Sequence, residues 1–142
     1  MKILILSIQL GARNIILTSR NGLESLQRRG DYIAERVLKH LQRCTDLSLQ
    51  VVAADGTSQK EMKDLVDSIK RPLGGCALLA ARLSDKMFIS QTKESFECAF
   101  PPKVEAFHIL ENVIDIRSLD FFVSFSSISG LFGNAGQTNY AA

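Results

Sequence analysis

The 142-residue sequence contains no tryptophan, only three prolines, three cysteines and two histidines, and no long apolar run. Cys44, Cys76 and Cys98 are odd in number, widely spaced and without a C-x-x-C pair. That argues against a disulfide framework and a zinc site and fits a reducing compartment, so a cytoplasmic, metal-free protein is expected. His40 and His108 show no metal-ligand spacing and read as ordinary helix residues. A net charge of +2 creates no polyelectrolyte field, so neither nucleic acid nor an anionic membrane is an expected partner. Gln27-Arg28-Arg29 is a small basic cluster with acids nearby and reads as a solvated face. The opening MKILILSIQL is interrupted by Ser7 and Gln9 and has no small-residue cleavage site, which argues against a signal peptide. It is also far short of the ~20 apolar residues of a membrane helix, and is taken as part of the fold.

What is present is a globular composition, 46% apolar and 23% charged. The length suits one domain over residues 1–142. Short apolar runs alternate with longer amphipathic segments. Asn14 to Thr18 reads as a buried strand, and from about Gly30 to Arg43 the residues Ile33, Val37, Leu38 and Leu41 follow helical spacing. Leu47 to Ala54 returns to strand character. Ser58-Gln59-Lys60-Glu61 matches a capping box, followed by the stripe Met62, Leu65, Val66 and Ile69. Gly74-Gly75 punctuates before the apolar run Cys76 to Ala81. Thr92 is placed to cap another helix, Pro101-Pro102 restarts it, and Val104, Phe107, Leu110, Val113 and Ile114 form a further stripe. Leu119 to Phe125 is the last strand. The order strand, helix, strand, helix, strand, helix, strand calls for an α/β fold with a doubly wound parallel sheet.

Such sheets bind ligands beyond the carboxyl ends of their strands. Ser19-Arg20, Asp55 and a serine cluster at 126, 127 and 129 fall at those ends. Ser127 and Tyr140 stand thirteen residues apart, with Gly130, Gly133 and Gly136 between them, so the chain can fold back and aim both oxygens at one carbonyl. A free phenol has a pKa near ~10. Proton exchange near neutrality needs a neighbouring cation and exclusion of bulk water, and Lys103 is placed to supply the charge. The plainer readings are a strand-end cap for Ser127, packing for Tyr140, and solvated surface positions for Lys103 and Arg20. A serine hydrolase is excluded, because no serine here lies in G-x-S-x-G.

The segment LDFFVSFSSISGLFGNAGQTNYAA, Leu119 to Ala142, closely resembles the ketoreductase domains of polyketide synthases, in the short-chain dehydrogenase/reductase superfamily. Leu10 to Arg20 resembles that family's second strand and cofactor-phosphate site. Arg71-Pro72-Leu73-Gly74-Gly75 precedes its fourth strand, and Pro102-Lys103-Val104 matches the helix bearing its lysine. The resemblance implies a Rossmann-like fold and NADPH-dependent reduction of a β-ketoacyl thioester on an acyl carrier protein, beside neighbouring synthase domains. It implies Tyr140 as proton donor, Ser127 as its partner on the carbonyl and Lys103 as the catalytic lysine. It further implies Ser19 and Arg20 at the adenosine 2′-phosphate, Asp55 near the adenine and Asp85 on the substrate side. MKILILSI is, by the same resemblance, the tail of the family's first helix.

There are departures as well. The family's Gly-rich turn and the asparagine one helical turn past the tyrosine have no counterpart in the 142 residues, so a segment truncated at both ends and inactive in isolation is expected. Leu78-Leu79-Ala80-Ala81 stands where relatives carry a His-Ala-Ala-Gly-like segment, and loss of that glycine crowds a close backbone approach. Leu83-Ser84-Asp85 stands where many members carry Leu-Asp-Asp. An intact loop of that kind, with no tryptophan shortly before the tyrosine (Phe132 here), goes with one stereochemical outcome. The alternatives are a fatty-acid-synthase-like or free-standing short-chain reductase, or a non-catalytic partner-binding module.

Overall fold

The computed structural model describes residues 1–28 and 30–142. Two compact units emerge, Met1–Asp55 and Gly56–Ala142.

In the first unit, Lys2–Gln9 forms helix α1, as the family resemblance implies. The chain leaves α1 through Gly11, whose φ of +105° is one that glycine alone adopts without strain. Arg13 donates to the Ile8 carbonyl at 2.9 Å, placing a cation at the helix's negative end. Strand β1, Asn14–Ser19, pairs in parallel with β2, Ser48–Ala53, in register from Asn14↔Ser48 to Ser19↔Ala53. Helices α2, Glu24–Arg28, and α3, Tyr32–Leu41, make the crossover. Leu4, Leu38, Leu47 and Leu49 form the buried centre, with Ile15, Leu17 and Val51 packed against it.

The Asp31 carboxylate caps α3 by accepting from the Ala34 amide at 3.0 Å. Ala34 and Leu38 are buried, whereas Ile33, expected on the same stripe, is 79% exposed. At 100° per residue Ile33 lies about 140° from Leu38, and Ala34 only about 40°. In the Gln27-Arg28-Arg29 cluster, Gln27 and Arg28 are exposed and reach the carboxylates of Glu35 and Glu24, and Arg29 lies outside the described residues.

In the second unit, Ser58 accepts from the Glu61 amide at 3.4 Å and starts helix α4, Gln59–Ser68. Strand β3, Gly75–Leu78, runs parallel to β4, Phe121–Ser124. Bonds from the Asp120 amide to the Gly74 carbonyl, 2.7 Å, and from the Phe125 amide to the Leu78 carbonyl, 2.9 Å, extend the pairing at both ends. Gly75 is not a turn residue, as the Gly74-Gly75 pair suggested; it opens β3. A Cβ there would overlap the ring of its register partner Phe121.

Between these strands lie α5, Lys93–Ala99, and α6, Val104–Val113. The Thr92 amide donates to Ser95 Oγ at 3.1 Å at the start of α5. Ala106 and Leu110 are buried on α6, and Phe107 meets Phe122 edge to face at 5.7 Å. The expected stripe of α6 holds at Leu110 but not at Val104, which is exposed. Two single-turn helices, α7, Ser129–Phe132, and α8, Thr138–Ala141, close the chain. Among the described residues no helix is long and apolar enough to cross a membrane, and no group of three or more His, Cys, Asp or Glu is placed to hold a metal ion.

Candidate active site

The second unit brings Lys103, Ser127 and Tyr140 to one cleft of about 180 Å³, lined also by Phe100, Val104 and Asn139. Each arrives by a different local device. Lys103 ends the turn imposed by Pro101-Pro102, its amide bonded to the Phe100 carbonyl at 3.0 Å, and stands at the start of α6. Its ammonium donates to the Phe125 carbonyl at 2.6 Å, just past the end of β4. The same nitrogen lies 5.5 Å from the centroid of the Tyr140 ring.

Ser127 follows β4, and its Oγ accepts from the Ser129 amide at 3.2 Å, so it does perform the capping task that its position at a strand exit suggests. That bond uses an acceptor site of the hydroxyl and leaves its hydrogen able to rotate toward another acceptor. The chain then returns through Gly133 and Gly136, with φ of +72° and +79°, into α8. Tyr140 sits in that single turn, half-buried.

Asp85 does not line the cleft; it is exposed and accepts from Gln137 Nε2 at 3.0 Å. Gln137 Oε1 in turn accepts from Ser129 Oγ and Asn134 Nδ2, both at 2.9 Å. Asp85 is thereby tied to the connection between α7 and α8. Two polar residues of this region, Gln137 and Asn139, do not stand out in a sequence searched for hydroxyls and charges, and Ser129 stands out only as a member of the serine cluster. The available signal was a run of amide side chains immediately before the tyrosine, in a segment otherwise made of small residues.

In the first unit, Ser19 and Arg20 lie at and just past the carboxyl end of β1, and Asp55 lies just beyond β2. Ser19 Oγ is already engaged, donating to the Gly22 carbonyl and meeting Ser25 Oγ, each at 3.0 Å. Arg20 is exposed and has no hydrogen-bond or ion-pair partner among the described residues. Asp55 is half-buried. Strand β3 ends at Leu78, so Leu79-Ala80-Ala81 lies past the sheet rather than in it, with Leu79 exposed. Burial pushes the Cys76 thiol up from its ordinary range, which makes it a poor nucleophile.

The family model for the KR domain matches residues 3–142. The chain belongs to the ketoreductase domain family of polyketide synthases. This ketoreductase chain is 38% identical over 142 residues to a highly reducing polyketide synthase of Strobilurus tenacellus, covering all of this chain and 5% of that protein. It is 33% identical over 144 residues to a stereoselective keto-reductase of Aspergillus fumigatus, covering 95% of this chain and 13% of that one. Among solved structures, the ketoreductase from the first module of phoslactomycin biosynthesis in Streptomyces matches with a TM-score of 0.73 at 29% identity. That match covers 94% of this chain and 30% of the other. The first ketoreductase of the tylosin synthase matches at 0.71 and 31%, over 92% and 27%. The ketoreductase chain therefore has the Rossmann-like α/β fold of short-chain dehydrogenases, and spans a small part of the length of the relatives it matches.

Proposed function

We propose that this chain contributes the carbonyl-reducing site of a polyketide synthase ketoreductase, acting on a β-ketoacyl thioester carried by an acyl carrier protein. The observation that carries this reading is the meeting of Lys103, Ser127 and Tyr140 on one cleft, with the lysine ammonium over the tyrosine ring.

Family membership implies NADPH as the reductant. The exposed Arg20 guanidinium has no carboxylate partner among the described residues, and a planar fork of donors suits a phosphate monoester. Arg20 is thus the residue assigned to the adenosine 2′-phosphate. Ser19 fits that task less well, because its hydroxyl is occupied within its own turn. Asp55 is assigned to the adenine end.

When bound, the coenzyme supplies a hydride equivalent to the carbonyl carbon. The carbonyl oxygen then gains negative charge, and the residues of the cleft answer it. Ser127, its acceptor face taken by the Ser129 amide, donates its hydroxyl hydrogen to that oxygen and fixes the carbonyl's direction. Tyr140 delivers a proton to the same oxygen, completing the alcohol. Lys103 favours negative charge on the phenol oxygen as the proton leaves, and Phe125 holds the lysine in place. Asp85 acts at one remove on the substrate side, through Gln137.

The deciding experiment compares wild type and Tyr140→Phe in a synthase whose ketoreductase carries these residues, following NADPH oxidation and the β-hydroxyacyl product. Loss of the hydroxyl product in the variant is expected. Retention of wild-type reduction would overturn the reading. No G-x-G-x-x-G occurs in the 142 residues, and no turnover is expected from them as an isolated polypeptide.

A further inference from the structure

Asn139 is the most deeply buried polar side chain among the described residues, at 1% exposure. Both hydrogens of its amide are used. Nδ2 donates to the Ser84 carbonyl at 3.0 Å and to the Ser95 carbonyl at 2.9 Å, while Oδ1 faces Gln91 Nε2 at 3.5 Å. Turning the amide over would set its oxygen against two carbonyl oxygens, so this orientation is the one its neighbours permit. Ser95 is itself buried, its hydroxyl bonded to the Gln91 side chain and, at 2.7 Å, to the Thr92 carbonyl.

Two features turn this from ordinary satisfaction of a buried group into control of the next residue. First, α8 has only four residues, and a single helical turn does not hold its own direction in water. The direction of Tyr140 must come from tertiary ties. Second, the Ser95 carbonyl belongs to α5, and the chain runs from α5 to Lys103 through a short turn closed by bonds to the Phe96 and Phe100 carbonyls. One amide therefore joins the turn that carries the phenol to the helix that leads to the ammonium.

We infer that Asn139 is a positioning residue that holds the Tyr140 ring beneath the Lys103 ammonium by clamping α8 to α5 and to the Ser84 segment. The inference rests on the reading of Tyr140 as proton donor for its consequence in catalysis, but not for its geometry. Asn139→Ser keeps one donor and removes the clamp, and Asn139→Asp would face two carbonyls with a carboxylate. Either frees the ring to leave its place without touching the phenol, the serine hydroxyl or the lysine.

The test on the chain itself is nuclear magnetic resonance with lysine labelled at Cε. The Lys103 signal is assigned by its loss in Lys103→Arg, and its ring-current displacement is measured against Tyr140→Leu. Asn139→Ser is expected to move the signal most of the way to the Tyr140→Leu value while the protein still melts cooperatively. An unchanged displacement overturns the inference. Should Asn139→Ser fail to fold, the wild type still decides: slow exchange of the Asn139 side-chain amide hydrogens supports the clamp, and exchange at the rate of an exposed amide overturns it.

In a synthase carrying these residues, Asn139→Ser should lower kcat on the order of 10²-fold with KM for the ketoacyl substrate unchanged. It should cause no further loss on top of Tyr140→Phe. Equal losses in both backgrounds overturn the inference. A wild-type synthase that reduces nothing would sink the proposed function instead, and the resonance experiment would still decide the clamp.

Discussion

The Nζ of Lys103 lies 5.5 Å from the centre of the Tyr140 ring while donating, at 2.6 Å, to the carbonyl of Phe125. One cation thus belongs both to the end of a strand and to the phenol across the cleft. Lys103 and Tyr140 stand 37 positions apart in sequence, so only the fold brings them together.

Replacing Lys103 by Met removes the charge and keeps most of the stem. In a synthase carrying these residues, the rate of ketoacyl reduction should fall by about 10²- to 10⁴-fold, the range for losing support of an acid–base group. Steady-state NADPH oxidation measures it. A variant with the full wild-type kcat would remove Lys103 from the chemistry.

Arg20→Ala should weaken use of NADPH and leave NADH nearly unaffected. A charge-assisted hydrogen bond contributes about 1.5–3 kcal/mol, so KM for NADPH should rise about tenfold to a hundredfold. The ratio of the two coenzymes' kcat/KM values is the measurement. Equal effects on both would show that Arg20 does not read the phosphate.

Gly75→Val should destabilise the second unit by about 1–3 kcal/mol, because the new side chain meets the Phe121 ring across the register pair. Phe121→Ala should relieve much of that penalty, so the two changes will not add. Denaturant titration of the single and double variants reads the coupling. Strict additivity would place the strain elsewhere.

Glu35 in α3 accepts from the Lys39 ammonium at 2.6 Å and from the Gln27 amide at 3.3 Å. The Lys39 bond first, then Gln27, hold its carboxyl below the ordinary value of 4.5. A carboxyl depressed in the folded state binds its proton more readily when unfolded, so its contribution is present above that ordinary value and is lost as pH falls through the lower, folded one. Glu35→Gln should therefore lower Tm near neutrality and make no difference in strong acid. Thermal melts across that range check it, and a gap between the two proteins that widens on acidification would contradict it.

Much of this architecture was legible because it is local. Ser58 and Glu61 announce a helix start three residues apart, and that start is where α4 begins. The strand at Asn14 shows itself by its β-branched run, and its partner by the same means. Ile33 misled because helical spacing tolerates two phases near a terminus, and the Asp31 cap selects the one that buries Ala34. Gly75 misled because a glycine needed for a neighbouring ring looks like a glycine needed for a turn.

The cleft divided along the same line. Its chemistry-bearing residue types stood out in the sequence, but its polar scaffold did not. The bond from Gln137 to Asp85 spans 52 residues and those from Asn139 to Ser84 and Ser95 span 55 and 44. No periodicity or capping pattern encodes pairs so far apart, and an asparagine destined for the interior looks like any surface asparagine.

The bond from the Ser129 amide to Ser127 Oγ gives the cleft a chemical polarity. With that lone pair occupied, serine, phenol and ammonium all present hydrogens, and the guest that suits three such hosts is an oxygen bringing none of its own. On the proposed reading a ketone meets that condition; once Tyr140 has given up its proton, the phenolate left behind accepts from the new alcohol, so the wall must regain a proton before it again suits a ketone.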